Sequence, residues 1–233
     1  MNGTQPKVLT PLLGKPIITY VLDAVEHAGV CEKPVMVIGY GAEQVREVLG
    51  DRCRYVVQQE QLGTGHAVAQ ARSILEDKAD TVVVLYGDQP LCRAITLQNA
   101  VHHYQVDRST IQLLTATLPD FEDWRIPLSE FGRIIRSVGG EFERIVECKD
   151  ASPAEKEITE ISLGVYCFDA QWLWSHIDQL HKENIQKEYY LVDLLPMARI
   201  EGKRVTTVEI DPKECLGINT TEHLAIAEKL LMD

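Results

Sequence analysis

Two short β-type runs, each closing on a turn of polar or glycine residues, constrain this chain more than any other feature. The first ends in Val57-Gln58-Gln59-Glu60-Gln61-Leu62-Gly63-Thr64-Gly65-His66-Ala67, and the second is Val83-Val84-Leu85-Tyr86-Gly87-Asp88. In an open α/β sheet, ligands bind outside the carboxyl ends of the strands, so this pair reads as a nucleotide site. The surrounding pattern agrees. Lys15 to Ala28 carries apolar residues at helical spacing, with Pro16 near its start and Gly29 after its end. An apolar run at Pro34 to Ile38, a helix near Ala42 to Leu49, a strand at Arg54 to Gln58, helical spacing over Thr64 to Leu75 and an apolar run at Thr81 to Tyr86 follow. Strand, helix, strand, helix at that spacing implies parallel βαβ units.

Beyond residue 110 the pattern becomes hairpin-like. Ile111 to Leu118, Gly132 to Val138, Glu143 to Glu147 and Glu160 to Phe168 read as strands, with Gly139-Gly140 as a turn. Helices resume at Ala170 to Leu180 and around Tyr190 to Ile200, the latter kinked or split at Pro196. A strand at Arg204 to Ile210 and a helix at Thr221 to Leu231 close the chain. The core strand and Gly-rich turn that usually open a doubly wound domain are not seen, because Met1 to Gly14 reads as coil leading straight into a helix.

Composition narrows the classes of function. The 233 residues are 45% hydrophobic and 25% charged, enough to bury a full core in one domain. Lys plus Arg number 23 against 35 Asp plus Glu, a formal net charge of -12, which disfavours nucleic acid as a partner because backbone affinity needs clustered cations. No run of about 18 uncharged apolar residues and no signal segment is present, so a cytoplasmic protein with no membrane partner is expected. Six scattered cysteines without a Cys-x-x-Cys pair suggest buried free thiols rather than a zinc site or a disulfide framework.

Several further motifs stand in order along the chain: Pro6-Lys7-Val8-Leu9, Leu13-Gly14-Lys15-Pro16, Leu62-Gly63-Thr64-Gly65-His66-Ala67, Leu85-Tyr86-Gly87-Asp88, Gly132-Arg133-Ile134, Val146-Glu147-Cys148-Lys149-Asp150-Ala151, Glu160-Ile161, Glu188-Tyr189-Tyr190 and Gly217-Ile218-Asn219. With them the chain resembles the uridylyltransferase domain of bacterial N-acetylglucosamine-1-phosphate uridylyltransferases, over nearly its whole length. The resemblance implies an α/β fold with a Rossmann-like, mixed, mainly parallel sheet flanked by helices, an antiparallel sugar-binding portion, and the first strand absent. It implies one nucleotidyltransferase-like domain over 1–233, with a nucleotide-binding half at 1–110 and a sugar-binding half at 111–233. Two family elements are missing from the sequence: a Leu-x-x-Gly-x-Gly-Thr-Arg-Met loop, which would lie before Met1, and a β-helix acetyltransferase domain, which would follow Asp233.

The implied partners are UTP and a sugar 1-phosphate, the implied ion is Mg2+, and the implied product is a UDP-sugar that serves as a cell-wall precursor. Nothing in the sequence fixes the oligomeric state. Lys7 and Asp88 are the candidate catalytic residues. Lys7 would hold triphosphate oxygens; on its own it could be a solvated surface lysine. Gln58, Gly63 and Thr64 fit a base-reading turn, since an amide can match both the donor and acceptor edges of a pyrimidine and glycine admits close backbone approach. Turn geometry alone would also explain the glycines. Tyr86 and Gly87 complete the nucleotide set, while His66 reads as a packed or first-turn histidine outside the catalytic list.

Asp88 ends an apolar strand, where a carboxylate needs a partner to offset desolvation and a hard divalent ion supplies one. Turn or cap chemistry is the competing reading. Asn219 matches the family's second metal ligand and, by itself, is an ordinary helix cap. Gly132, Glu147, Ser162 and Tyr190 match the sugar-binding positions. Here the chain departs from the family, with Ser162 in place of an asparagine and Val192 in place of a threonine, which leaves open a hexose 1-phosphate other than N-acetylglucosamine 1-phosphate. Two alternatives stand beside the uridylyltransferase: a truncated or degenerate sugar-nucleotide-binding module, and a cytidylyl- or guanylyltransferase of a cofactor pathway.

Overall fold

The computed structural model describes residues 5–232. Of the stretch expected as coil, residues 1–4 lie outside the described residues, and the remainder is more ordered than the sequence reading has it. A 3-10 turn at Lys7–Leu9 is followed by a two-stranded antiparallel hairpin, β1 (Pro11–Leu12) and β2 (Lys15–Pro16). Because Lys15 and Pro16 are taken by that hairpin, helix α1 begins at Ile17 and runs to Ala28. Its buried residues are shared among three packed clusters: Ile17 in one, Ile18, Val21 and Leu22 in a second, and Ala24, Val25 and Ala28 in a third. Each large aliphatic buried there is worth about 1.5–3 kcal/mol relative to leaving it exposed.

Next come β3 (Val35–Ile38), α2 (Ala42–Leu49) and β4 (Arg54–Val57), and β3 and β4 pair in parallel, the βαβ unit the spacing implies. The expected helix over Thr64 to Leu75 divides at Ala71 into α3 (Thr64–Gln70) and α4 (Arg72–Leu75). After β5 (Thr81–Val84) a helix that the periodicity does not announce, α5 (Ala94–Asp107), packs on α1.

The larger sheet has the order β10-β6-β9-β7-β8, with β5 also on β9. Its strands are β6 (Ile111–Thr117), β7 (Arg133–Arg136), β8 (Phe142–Val146), β9 (Glu160–Asp169) and β10 (Val205–Glu209). Short helix α6 (Pro153–Lys156) precedes β9, α7 (Ala170–His176) follows it, and α8 (Leu194–Ile200) and α9 (Thr221–Met232) flank β10. Pro196 lies within α8, which a 3-10 turn at Leu191–Asp193 introduces, so the helix expected from Tyr190 is split. Only β10 and β6 are parallel in this sheet, and antiparallel pairing reaches into residues 1–110, where β5 runs against β9.

Strand β9 organises the molecule. It is apolar on both faces and almost wholly buried because β6 pairs along one edge while β5 and β7 share the other. Since β5 is antiparallel to it, the first residues of β9 lie beside the carboxyl end of β5. Arg133 pairs with both Ile161 and Val146, so Gly132 and Glu147 are brought to that same end. Four of the six cysteines are buried, as expected, but Cys31 is exposed and Cys148 half-buried, and all are free.

Candidate active site

The turn after β4 is braced by the segment that carries Glu188 to Leu191. Tyr189 N–H donates to the Leu62 carbonyl (2.8 Å), Gly65 N–H donates to the Tyr189 carbonyl (2.8 Å), and Leu191 N–H donates to Thr64 Oγ1 (2.9 Å). Gly63 takes φ +109°, and a Cβ there would come within 2.7 Å of the Tyr189 carbonyl oxygen, so the position requires glycine. Gln58 leaves β4 with its amide nitrogen against His66 Nδ1 (2.9 Å) and the Gly63 carbonyl (3.4 Å). His66 is in the first turn of α3, as expected, and its other ring nitrogen meets Gln70 (3.1 Å). The ring thereby orients Gln58, a supporting role the sequence reading does not assign.

The strongest convergence is at the end of β5. Lys7 Nζ donates to Asp88 Oδ2 and to Asn219 Oδ1, both at 2.6 Å, although these residues come from the 3-10 turn at Lys7–Leu9, the loop after β5 and the loop before α9. One carboxylate oxygen and one amide oxygen therefore surround a single positive charge. That donor set suits a hard divalent ion held by few protein oxygens and completed by phosphate oxygens. Among the described residues, no group of three or more His, Cys, Asp or Glu side chains is arranged to hold a metal. Asn219 sits before α9, which begins at Thr221, and is exposed.

Between these two regions lies Tyr86, with Gly87 packed against Ile18 of α1. The Tyr86 ring fills the space where Gly164 of β9 would carry a side chain, and Gly164 takes φ +77°. Burial pushes the Tyr86 phenol up to about 12, with the Glu147 and Asp88 carboxylates adding to the effect and a hydrogen bond with Thr64 opposing it. Ser162, buried on β9, donates its backbone N–H to the Gly132 carbonyl (2.9 Å) and accepts at Oγ from Gly164 N–H (3.3 Å). A Cβ at Gly132 would lie 3.5 Å from Glu147 Oε1, so the two adjoin.

Gly132, Glu147 and Ser162, three of the residues expected to bind the sugar, thus adjoin at one end of the sheet. Burial raises the Glu147 carboxyl above its ordinary range, helped by Asp150 and Asp193, while burial alone raises Asp193. Tyr190 is likewise raised, first by burial and then by Glu188, Glu147, Asp150 and Asp193, and its hydroxyl bonds to Gln186. Of the predicted residues it is the one whose hydroxyl is engaged on its own loop. Sequence reasoning misses Gly164 and Asp193. A lone glycine inside an apolar strand is a signal for the first; Asp193, three residues beyond the predicted Tyr190 of the Glu-Tyr-Tyr motif, offers none.

Residues 1–122 match the family model of the MobA-like NTP transferase domain. The chain belongs to this family. Among curated proteins, this NTP transferase is 43% identical over 229 residues to the bifunctional protein GlmU of Brevibacillus brevis, a match covering 98% of the chain and 48% of that protein. It is also 43% identical to the bifunctional protein GlmU of Heliobacterium modesticaldum, over all of the chain and 49% of that protein. The chain spans about half the length of the curated relatives it matches. Among solved structures, a UDP-glucose pyrophosphorylase complexed with UDP-glucose superposes with a TM-score of 0.74 at 16% identity, covering 97% of this chain and 90% of that one. A CMP-2-keto-3-deoxy-manno-octonic acid synthetase complexed with CTP gives 0.70 at 16% identity, covering 97% and 91%. At that identity the likeness speaks for the fold, a mixed α/β sheet flanked by helices. No helix among the described residues is long and apolar enough to cross a membrane.

Proposed function

We propose that this NTP transferase joins a nucleoside triphosphate to a sugar 1-phosphate, with UTP and N-acetylglucosamine 1-phosphate as substrates. The observation that carries the reading is the meeting of Lys7, Asp88 and Asn219 at 2.6 Å, beside a tight polar turn on one side and a buried carboxylate-rich strand end on the other. In this reaction a phosphate oxygen of the sugar 1-phosphate attacks the α-phosphorus, the bond to the β-phosphate's bridging oxygen breaks, and pyrophosphate leaves. Chemistry of that kind needs alignment and charge neutralisation rather than a covalent nucleophile.

In this reading Gln58, Gly63 and Thr64 receive the base, with Tyr86 and Gly87 forming the floor. Lys7 neutralises triphosphate oxygens, and Gly132, Glu147, Ser162 and Tyr190 bind the sugar. Asp88 and Asn219 hold a divalent ion, Mg2+, which supplies charge neutralisation to the phosphates when bound. The two GlmU relatives, matched along nearly all of this chain and about half of their own length, support the resemblance on which the choice of a hexosamine phosphate rests. Ser162 weighs on the other side, because a hydroxyl reaches less far than an amide and needs a water to span the same gap.

The test is pyrophosphate release across a panel of UTP, CTP, GTP and dTTP with N-acetylglucosamine 1-phosphate and glucose 1-phosphate. Release with UTP and the N-acetylhexosamine, dependent on Mg2+, is the expected outcome. Tight UDP-sugar binding with no release from any pair would instead favour the binding-module reading, and release with CTP or GTP alone would favour a cofactor-pathway transferase.

A further inference from the structure

Asp88 and Asn219 come from loops far apart in the chain, and an oxygen pair that holds a small cation tolerates little variation in spacing. Two fastenings join the loops. Beside the oxygens, Ile218 N–H donates to the Asp88 carbonyl (2.8 Å). Further out is a carboxylate, Glu214, only 2% exposed. Its Oε2 accepts from the backbone N–H of Arg93 (2.8 Å), and its Oε1 accepts from Arg93 Nε (2.8 Å), Arg93 Nη2 (2.6 Å) and the Thr96 hydroxyl (2.9 Å). Arg93 lies five residues after Asp88, and Glu214 five residues before Asn219. The pair and the backbone bond therefore close a ring of residues 88–93 and 214–218, in which Asp88 is a member and to which Asn219 is directly joined through Ile218.

Burying a carboxylate is a poor way to gain stability, since well-packed apolar residues often do as well or better than an ion pair. What the carboxylate adds is direction. Arg93 is the N-terminal cap residue of α5, so the bond to its N–H fixes Glu214 to the start of that helix, and the guanidinium grips the same group from the side. Gln89 extends the arrangement. Its side-chain nitrogen donates to the Leu163 carbonyl (2.8 Å) and ties the residue after Asp88 to β9.

We propose that Arg93 and Glu214 are positioning residues that set the separation of Asp88 Oδ2 and Asn219 Oδ1 and so tune the affinity for the divalent ion. This rests on the metal-site reading above, and direct metal binding separates the two. Mn2+ binding to the chain without nucleotide, read by electron paramagnetic resonance, is the measurement, with thermal unfolding recorded alongside. Glu214→Gln, which keeps the shape but loses the charge, is expected to weaken Mn2+ binding about tenfold, and Arg93→Lys, a milder change, by about threefold. KM for the metal–UTP complex should rise while kcat changes little. If both variants fold and bind Mn2+ as the native chain does, whatever their melting temperatures, the positioning role is overturned; should Glu214→Gln fail to fold, Arg93→Lys decides alone. If Asp88→Ala leaves Mn2+ binding unchanged, the metal-site reading itself fails.

Discussion

Lys7 shows how much chemistry one side chain can concentrate. Its ammonium occupies the two oxygens that the proposed divalent ion would also use, so under that proposal lysine and metal would compete for them until triphosphate oxygens gave the ammonium another partner. Lys7→Met is accordingly expected to lower turnover by about 100-fold, the cost of removing a preorganised charge, yet to tighten Mn2+ binding in the absence of nucleotide by roughly tenfold, consistent with losing one partly exposed ion pair. Weaker Mn2+ binding in that variant would contradict the competition. Glu147 offers a second residue-level prediction. Its folded pKa is raised by burial and by Asp150 and Asp193, so the folded state holds the proton more tightly than the unfolded chain does. Stability from this group is present below the unfolded carboxylate pKa and is lost as pH rises through the raised value. Glu147→Gln should therefore raise the melting temperature at pH 7, with the gain vanishing near pH 4, while weakening sugar-phosphate binding. For Ser162, replacement by asparagine should shift selectivity toward the N-acetylhexosamine phosphate, and unchanged kcat/KM ratios between sugars would show that the departure is silent.

At the scale of elements, β9 carries the site. Gly164 bends it, the register shifts between Leu113 and Thr115 on the neighbouring β6, and Tyr86 fills the space left over. Gly164→Ala combines a positive φ with a clash against that ring and is expected to cost about 2 kcal/mol in denaturant unfolding. A value near zero would mean that Tyr86 can move aside and is no fixed floor. Elements with a strong apolar signal were legible in the sequence: α1, β3, β6, β9 and the β7–β8 hairpin lie within two residues of where periodicity puts them. Helix α5 was not, because its buried stripe is Thr96, Leu97, Ala100 and Tyr104, a threonine and an alanine standing where larger aliphatics would announce a helix. The hairpin of β1 and β2 was also hidden, since two-residue strands leave no periodicity to read.

For the whole molecule, pairing partners were the hardest property to foresee. The spacing of β3, β4 and β5 implies neighbouring parallel strands, yet β3 and β4 form their own two-stranded sheet while β5 pairs with β9 from the second half. Which distant strand takes an edge depends on register across a long stretch of chain, and local pattern does not encode it. The residues expected at the site are at least brought together: Gln58 and Gly63 adjoin at one turn, and Lys7 meets Asp88 and Asn219 directly. Motifs placed them, but the straps from Tyr189 and Glu214 that hold them depend on the tertiary fold. The central claim is that Asp88 and Asn219 hold the metal that makes sugar-nucleotide formation possible, and it is tested most directly by exchange of labelled pyrophosphate into UTP from UDP-N-acetylglucosamine, for the native chain and Asp88→Ala. Exchange that needs Mg2+ and falls at least about 100-fold in the variant is predicted; exchange without a divalent ion, or undiminished in Asp88→Ala at saturating Mg2+, would contradict it.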